Sequence, residues 1–111
     1  MGNCKDILAP YLNGEVELTD ERKRHIAERH PDLLPNHRHW IAETLAQPDH
    51  VRQSVRFGSA KLFSRWYTDA RQGKYVVVVV VSELDPIERH WIVTAYVART
   101  LAEGEIEWKR N

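Results

Sequence analysis

Residues 75–83 read YVVVVVVSE, and the fold turns on this stretch. Valine is β-branched and stiff at χ1, so six in a row suit a strand far better than a helix. Apolar side chains at both odd and even positions have no solvent face, which places the strand at the centre of a sheet, covered on both sides. RQGK (71–74) before it and LDPIE (84–88) after it are turn segments, so its neighbours are expected to pair with it as antiparallel hairpins.

Both flanks alternate as strands should. In AKLFSRWYTD (60–69), Leu62, Ser64 and Trp66 oppose Phe63, Arg65 and Tyr67. In RHWIVTAYVA (89–98), Trp91, Val93, Ala95 and Val97 oppose His90, Ile92, Thr94 and Tyr96. DHVRQSVRF (49–57) alternates as well, and the tail LAEGEIEW offers a short edge piece through Ile106 and Trp108. Upstream the period changes. After an extended VELT, Thr19 or Asp20 can cap a helix whose positive end is complemented by Asp20 and Glu21, and Pro31 stops it. Pro35 opens a second helix at a first-turn position, and Trp40, Ile41, Thr44 and Leu45 form its apolar stripe. The expected fold is α+β: two N-terminal helices packed on a four-stranded antiparallel sheet, five-stranded if the tail adds an edge. Residues 1–111 form one domain, with 1–15 as a flexible N-terminal segment. One sheet face is covered by the helix stripe, and the other is left as a working surface.

Composition narrows the function class. With 42% hydrophobic and 29% charged residues the chain is globular rather than disordered. Its longest apolar run is seven residues, Tyr75–Val81, whereas a helix crossing a bilayer needs about 20. No cationic stretch leads into an apolar block at the start, and Asp6 breaks the myristoylation pattern that Met-Gly-Asn-Cys begins. Cys4 is alone, so a disulfide framework is not expected and a reducing cytoplasm fits best. Net charge is zero, but residues 50–75 carry six basic groups against Asp69, while residues 83–107 carry six acids against Arg89 and Arg99. A basic stretch of this kind can meet phosphate, or can simply be the solvated side of strands with sign pairing.

HIAERHP (25–31) is the densest chemical segment. His25 and His30 are five apart and diverge by about 140° on a helix, unlike the four-residue spacing of a zincin, so a structural zinc is not expected; a catalytic zinc gathered from distant histidines is left open, and the sequence calls for no cofactor. Arg22, His25 and Arg29 share a face at i, i+3 and i+7, and His30 lies at the margin of the apolar side. Guanidinium binds phosphate oxygens bidentately, and imidazole as a side chain titrates near neutrality. A charged helix face is more commonly just solvated. On the strands, Arg65 with Tyr67 and Thr94 with Tyr96 each share one face, and their donors suit a developing phosphorane.

The order HIAERHP, IAETLAQPDHV, LFSRWY, YVVVVV, WIVTAY, GEIEW resembles a family of small phage- and bacteria-associated domains placed with the barnase–EndoU–colicin–RelE-like fold, over residues 16–108. That resemblance implies a sheet with an open groove, and a site built from His25, Arg29, His30, Arg65, Tyr67, Thr94 and Tyr96. It implies metal-independent RNA cleavage by 2′-hydroxyl attack, with His25 or His30 as base or acid, Arg29 and Arg65 as phosphate clamps, and Thr94 with Tyr67 or Tyr96 as orienting donors. RNA and an antitoxin-like protein are the implied partners, in a cytoplasmic setting with no membrane. The competing expectation is a non-catalytic binding domain using the same groove, since fold does not establish function. Oligomeric state is left open by the sequence.

Overall fold

The chain opens with a hairpin rather than a helix. The computed structural model describes residues 4–34, 36–54, 60–68, 73–101 and 105–110. Strand β1 (Cys4–Ala9) runs into a short 3-10 turn (Pro10–Leu12) and returns as β2 (Gly14–Thr19), with Ile7 opposite Val16. Asn13 makes this turn in the left-handed region at φ 56°, which asparagine tolerates better than most residues. Helices α1 (Asp20–Arg29) and α2 (Arg38–Ala46) follow, then β3 (His50–Gln53), β4 (Ala60–Tyr67), β5 (Lys74–Glu83), β6 (Arg89–Ala98) and β7 (Glu105–Lys109).

All seven strands join one sheet in the order β1-β2-β6-β5-β4-β3-β7. The valine strand β5 is fourth of seven, its neighbours pairing antiparallel on both sides. The expected two N-terminal helices on a four- or five-stranded antiparallel sheet are therefore corrected. A hairpin precedes the helices, residues 4–19 are built into the sheet, and β2 joins β6 in parallel. The parallel join is short, a single register pair of Glu17 with Trp91. Beyond it α1 packs against β6 and β2. A register shift between Val79–Thr94 and Val80–Ile92 leaves Val93 as a bulge, and Arg22 Nη1 donates to the Val93 carbonyl at 3.4 Å. Thr19 caps α1, accepting from the Arg22 backbone N–H at 3.2 Å, as expected from the sequence. The proline expected to start α2, Pro35, lies outside the described residues, as do 55–57 and 71–72.

Strand alternation divides the sheet into two faces. The inner face meets α2 and carries Ile7, Val16, Leu18, Val51, Phe63, Val76, Val78, Val80, Ile92 and Ala95, all buried. Ile26 of α1 and Ile41 and Leu45 of α2 complete this core at 0% exposure. Burial of each large side chain contributes about 1.5–3 kcal/mol before the entropy of ordering is counted. The sheet curls round α2. Tyr11, next to one edge strand, reaches Phe63 of β4 (ring centroids 5.9 Å) and Trp108 of the opposite edge strand β7 (6.2 Å). Among the described residues no helix is long and apolar enough to cross a membrane.

Candidate functional site

Register decides which of the sequence-predicted residues meet. Arg65 pairs with Val76 and Tyr67 with Lys74, on the inner face. Thr94 pairs with Val79 and Tyr96 with Val77, on the outer face. The structure therefore separates the two strand pairs that the sequence suggested would converge. Successive residues of a strand point to opposite sides, and β5 offers its even-numbered valines to one pair and its odd-numbered valines to the other.

The inner pair is engaged in holding α2. Arg65 Nη1 donates to the Gln47 carbonyl at 2.7 Å, just past the end of α2, and its guanidinium lies 5.6 Å from the Tyr67 ring centroid. The Tyr67 hydroxyl donates to Glu43 Oε1 at 2.8 Å, and its ring packs 5.1 Å from that of Trp40. Burial and the Glu43 hydrogen bond push the Tyr67 phenol well above the ordinary tyrosine range. These contacts make Arg65 and Tyr67 fasteners rather than members of an open groove.

On the outer face the helix end and a strand do meet. His30, the C-cap of α1, lies against Tyr96, with ring centroids 6.1 Å apart. Arg29 is exposed one residue earlier, and His25 is half-buried a turn back on α1. From Tyr96 a row runs straight across the sheet through Val77 and Ser64 to His50, with Thr94 and Val79 alongside. Arg52 of β3 stands two residues along from His50, 3% exposed. Burial lowers the Arg52 pKa, and the Tyr96 phenol, close enough to interact electrostatically, partly opposes that. Ser64 and Val77, between these long side chains, are 0% and 1% exposed. Ser64 Oγ and His50 Nδ1 are buried without a hydrogen-bond partner among the described residues. Each such group costs about 1–3 kcal/mol unless something supplies the missing bond.

A guanidinium sunk into a sheet, a phenol, an imidazole and unsatisfied polar atoms in one row can hold an anionic oxygen cluster such as phosphate. Arg52, His50 and Ser64 were missed by sequence reasoning because, in DHVRQSVRF and LFSRWY, they look like ordinary polar positions of alternating strands. The available signal was the pairing of two strands whose polar residues fall in the same phase.

A second polar set lies at the other end of the β5–β6 hairpin. Ser82 Oγ and His90 Nδ1 are hydrogen-bonded at 2.6 Å, and His90 Nε2 and Glu88 Oε2 at 2.8 Å. Ser82 and His90 are a cross-strand pair, and Gly14 of β2 lies beside the His90 ring. The three bonded residues all belong to the β5–β6 hairpin and its turn, with His90 6% exposed. Among the described residues there is no group of three or more His, Cys, Asp or Glu side chains placed to hold a metal ion. Comparison with models of known protein families, with curated proteins and with solved structures finds no match.

Proposed function

We propose that this chain handles RNA on the outer face of its sheet, as a metal-independent endoribonuclease-like domain. The observation that carries this reading is the contact of His30 with Tyr96 beside the buried Arg52 guanidinium. In the proposed reaction His30 takes the proton of a 2′-hydroxyl as that oxygen attacks the adjacent phosphorus. Arg52 neutralises the phosphorane, and Tyr96 with Thr94 orients its oxygens. As the P–O5′ bond breaks, the departing oxygen takes a proton from solvent. The products are a 2′,3′-cyclic phosphate and a 5′-hydroxyl end. Arg65 and Tyr67 have no part in this version, because they fasten α2 on the other face. A cytoplasmic setting and an antitoxin-like protein partner belong to the same proposal.

The test is incubation of the purified chain with mixed RNA in EDTA, reading cyclic-phosphate ends. Cleavage is expected, and His30→Ala should slow it by about 100-fold or more, the usual size of a lost general base. Absence of cleavage by the unmodified chain, or full activity in His30→Ala, overturns the catalytic reading. RNA bound but uncut would favour the second reading, a non-catalytic binding domain, which the engagement of Arg65 and Tyr67 in α2 packing already supports.

A further inference from the structure

Trp66 lies on the same outer face, one step along the strands from the Tyr96–Val77–Ser64–His50 row, and it is held with unusual care for an exposed residue. Its side of the strand pair is occupied by Trp66 opposite Tyr75, with the two rings 4.9 Å apart at 72°. The Trp66 backbone N–H donates to Asp49 Oδ2 at 2.8 Å, and Asp49 is in turn held by Arg110 Nη2 at 2.6 Å. The benzo ring rests against Gly73: a Cβ there would meet Trp66 Cζ2 at 2.4 Å, and Gly73 has φ +73°, a conformation that glycine adopts without cost. Gly73 is buried by this contact, yet Trp66 is still 41% exposed. A large ring fixed by its backbone, by a neighbouring ring and by a left-handed glycine is pre-organised to receive something on its open side.

Charge says what that something is. Two residues of strand separate the Trp66–Tyr75 pair from the Tyr96–His50 row, about 6.8 Å. His50 and Arg52 stand on that side of the molecule, and Lys109 of β7 is exposed opposite His50. Asp49, which accepts from the Trp66 backbone N–H, is neutralised by Arg110. Glu17, Glu83 and Glu88 gather at the far end of the strands, where Arg89 pairs with Glu17 and His90 with Glu88. An aromatic plate with an imidazole and a phenol one row away and a guanidinium two rows away fits a ligand that alternates flat rings with anions. A duplex hides its ring faces inside its own stack, whereas an unpaired strand can turn them outward onto aromatic side chains.

We propose that Trp66 is a base-stacking residue for single-stranded RNA, seating an unpaired base while the neighbouring phosphate lies over Arg52 and Tyr96. This inference rests on the outer face being the RNA-handling surface, but it concerns recognition rather than cleavage. Its test therefore uses uncleavable ligands: a fluorescein-labelled 2′-O-methyl RNA octamer, single-stranded and annealed to its complement, titrated by anisotropy against the full chain. The single strand should bind at least 10-fold tighter than the duplex. Trp66→Ala should weaken single-strand binding by about 10-fold, and Trp66→Phe should restore most of it. Urea unfolding of both variants separates a binding loss from a folding loss. Equal affinity for the two forms, no binding to either, or unchanged binding by folded Trp66→Ala overturns the proposal. So does a dimer in sedimentation that Trp66→Ala abolishes, because the face would then belong to a second copy. Single-strand binding without cleavage in EDTA would remove the catalytic reading and leave this one; cleavage with indifference to strandedness would do the reverse.

Discussion

The two faces of β4 and β5 are made from alternate residues of the same two strands, and they differ in how their polar groups are met. On the inner face Phe63, Val76 and Val78 are fully buried, and even the polar Arg65 and Tyr67 are bonded to α2 or the residue after it. On the outer face Ser64 is just as buried, but its hydroxyl has no partner among the described residues, and a rigid tryptophan is left open to solvent. The two faces are thus equally buried in part, but their buried polar groups are not equally satisfied, and an unmet donor or acceptor is retained only at a cost to stability.

The sharpest way to break this comparison is to damage each face and ask what is lost. Phe63→Ala, on the inner face, should destabilise the chain by about 3–5 kcal/mol through lost burial and the cavity left under Tyr11, read from the urea midpoint. Arg52→Met, on the outer face, should act first on function: RNA cleavage and binding should fall by about 10-fold or more, the size of a lost charge-assisted hydrogen bond, with a smaller loss of stability than Phe63→Ala. A large loss of stability in Arg52→Met would show that the outer row is a structural device.

The smallest effect sharpens the inner side. Tyr67→Phe should cost about 1 kcal/mol by removing the hydrogen bond to Glu43, with RNA binding unaltered. Its pH dependence has a definite sign. The folded chain holds the Tyr67 proton more tightly than the unfolded chain does, so the unfolded state loses it first near pH 10. The stability contributed by Tyr67 is therefore complete below about pH 10 and declines as pH rises through the alkaline range. Alkaline unfolding curves of Tyr67→Phe should be flatter than those of the unmodified chain. Equal slopes would mean that Tyr67 is not buried against α2.

Much of the architecture could be read from residue order. The valine run announced the middle of a sheet, the turns on either side of it announced hairpins, and Thr19 and Pro31 bracketed α1. The N-terminal hairpin was missed because β1 is a six-residue edge strand with too few positions to show a period, although Asn13-Gly14 was a turn signal. The parallel join of β2 to β6 could not be read at all, since it rests on one register pair between residues far apart in the chain. The site was half legible. His30 and Tyr96 stood out as chemistry-bearing side chains on a helix end and a strand, while Arg52, His50 and Ser64 did not.

Residue order by itself determined the period of each segment: which side chains share a strand face, where a helix can start, and that YVVVVVVSE lies in the middle of a sheet. It could not determine phase. A strand apolar at every position passes no record of which alternate set faces the helices, so Arg65 with Tyr67 and Thr94 with Tyr96 could have met or parted without any change in pattern. Hydrogen-bond register made that choice, setting Arg65 over Val76 and Tyr96 over Val77, one residue apart and on opposite sides of the sheet.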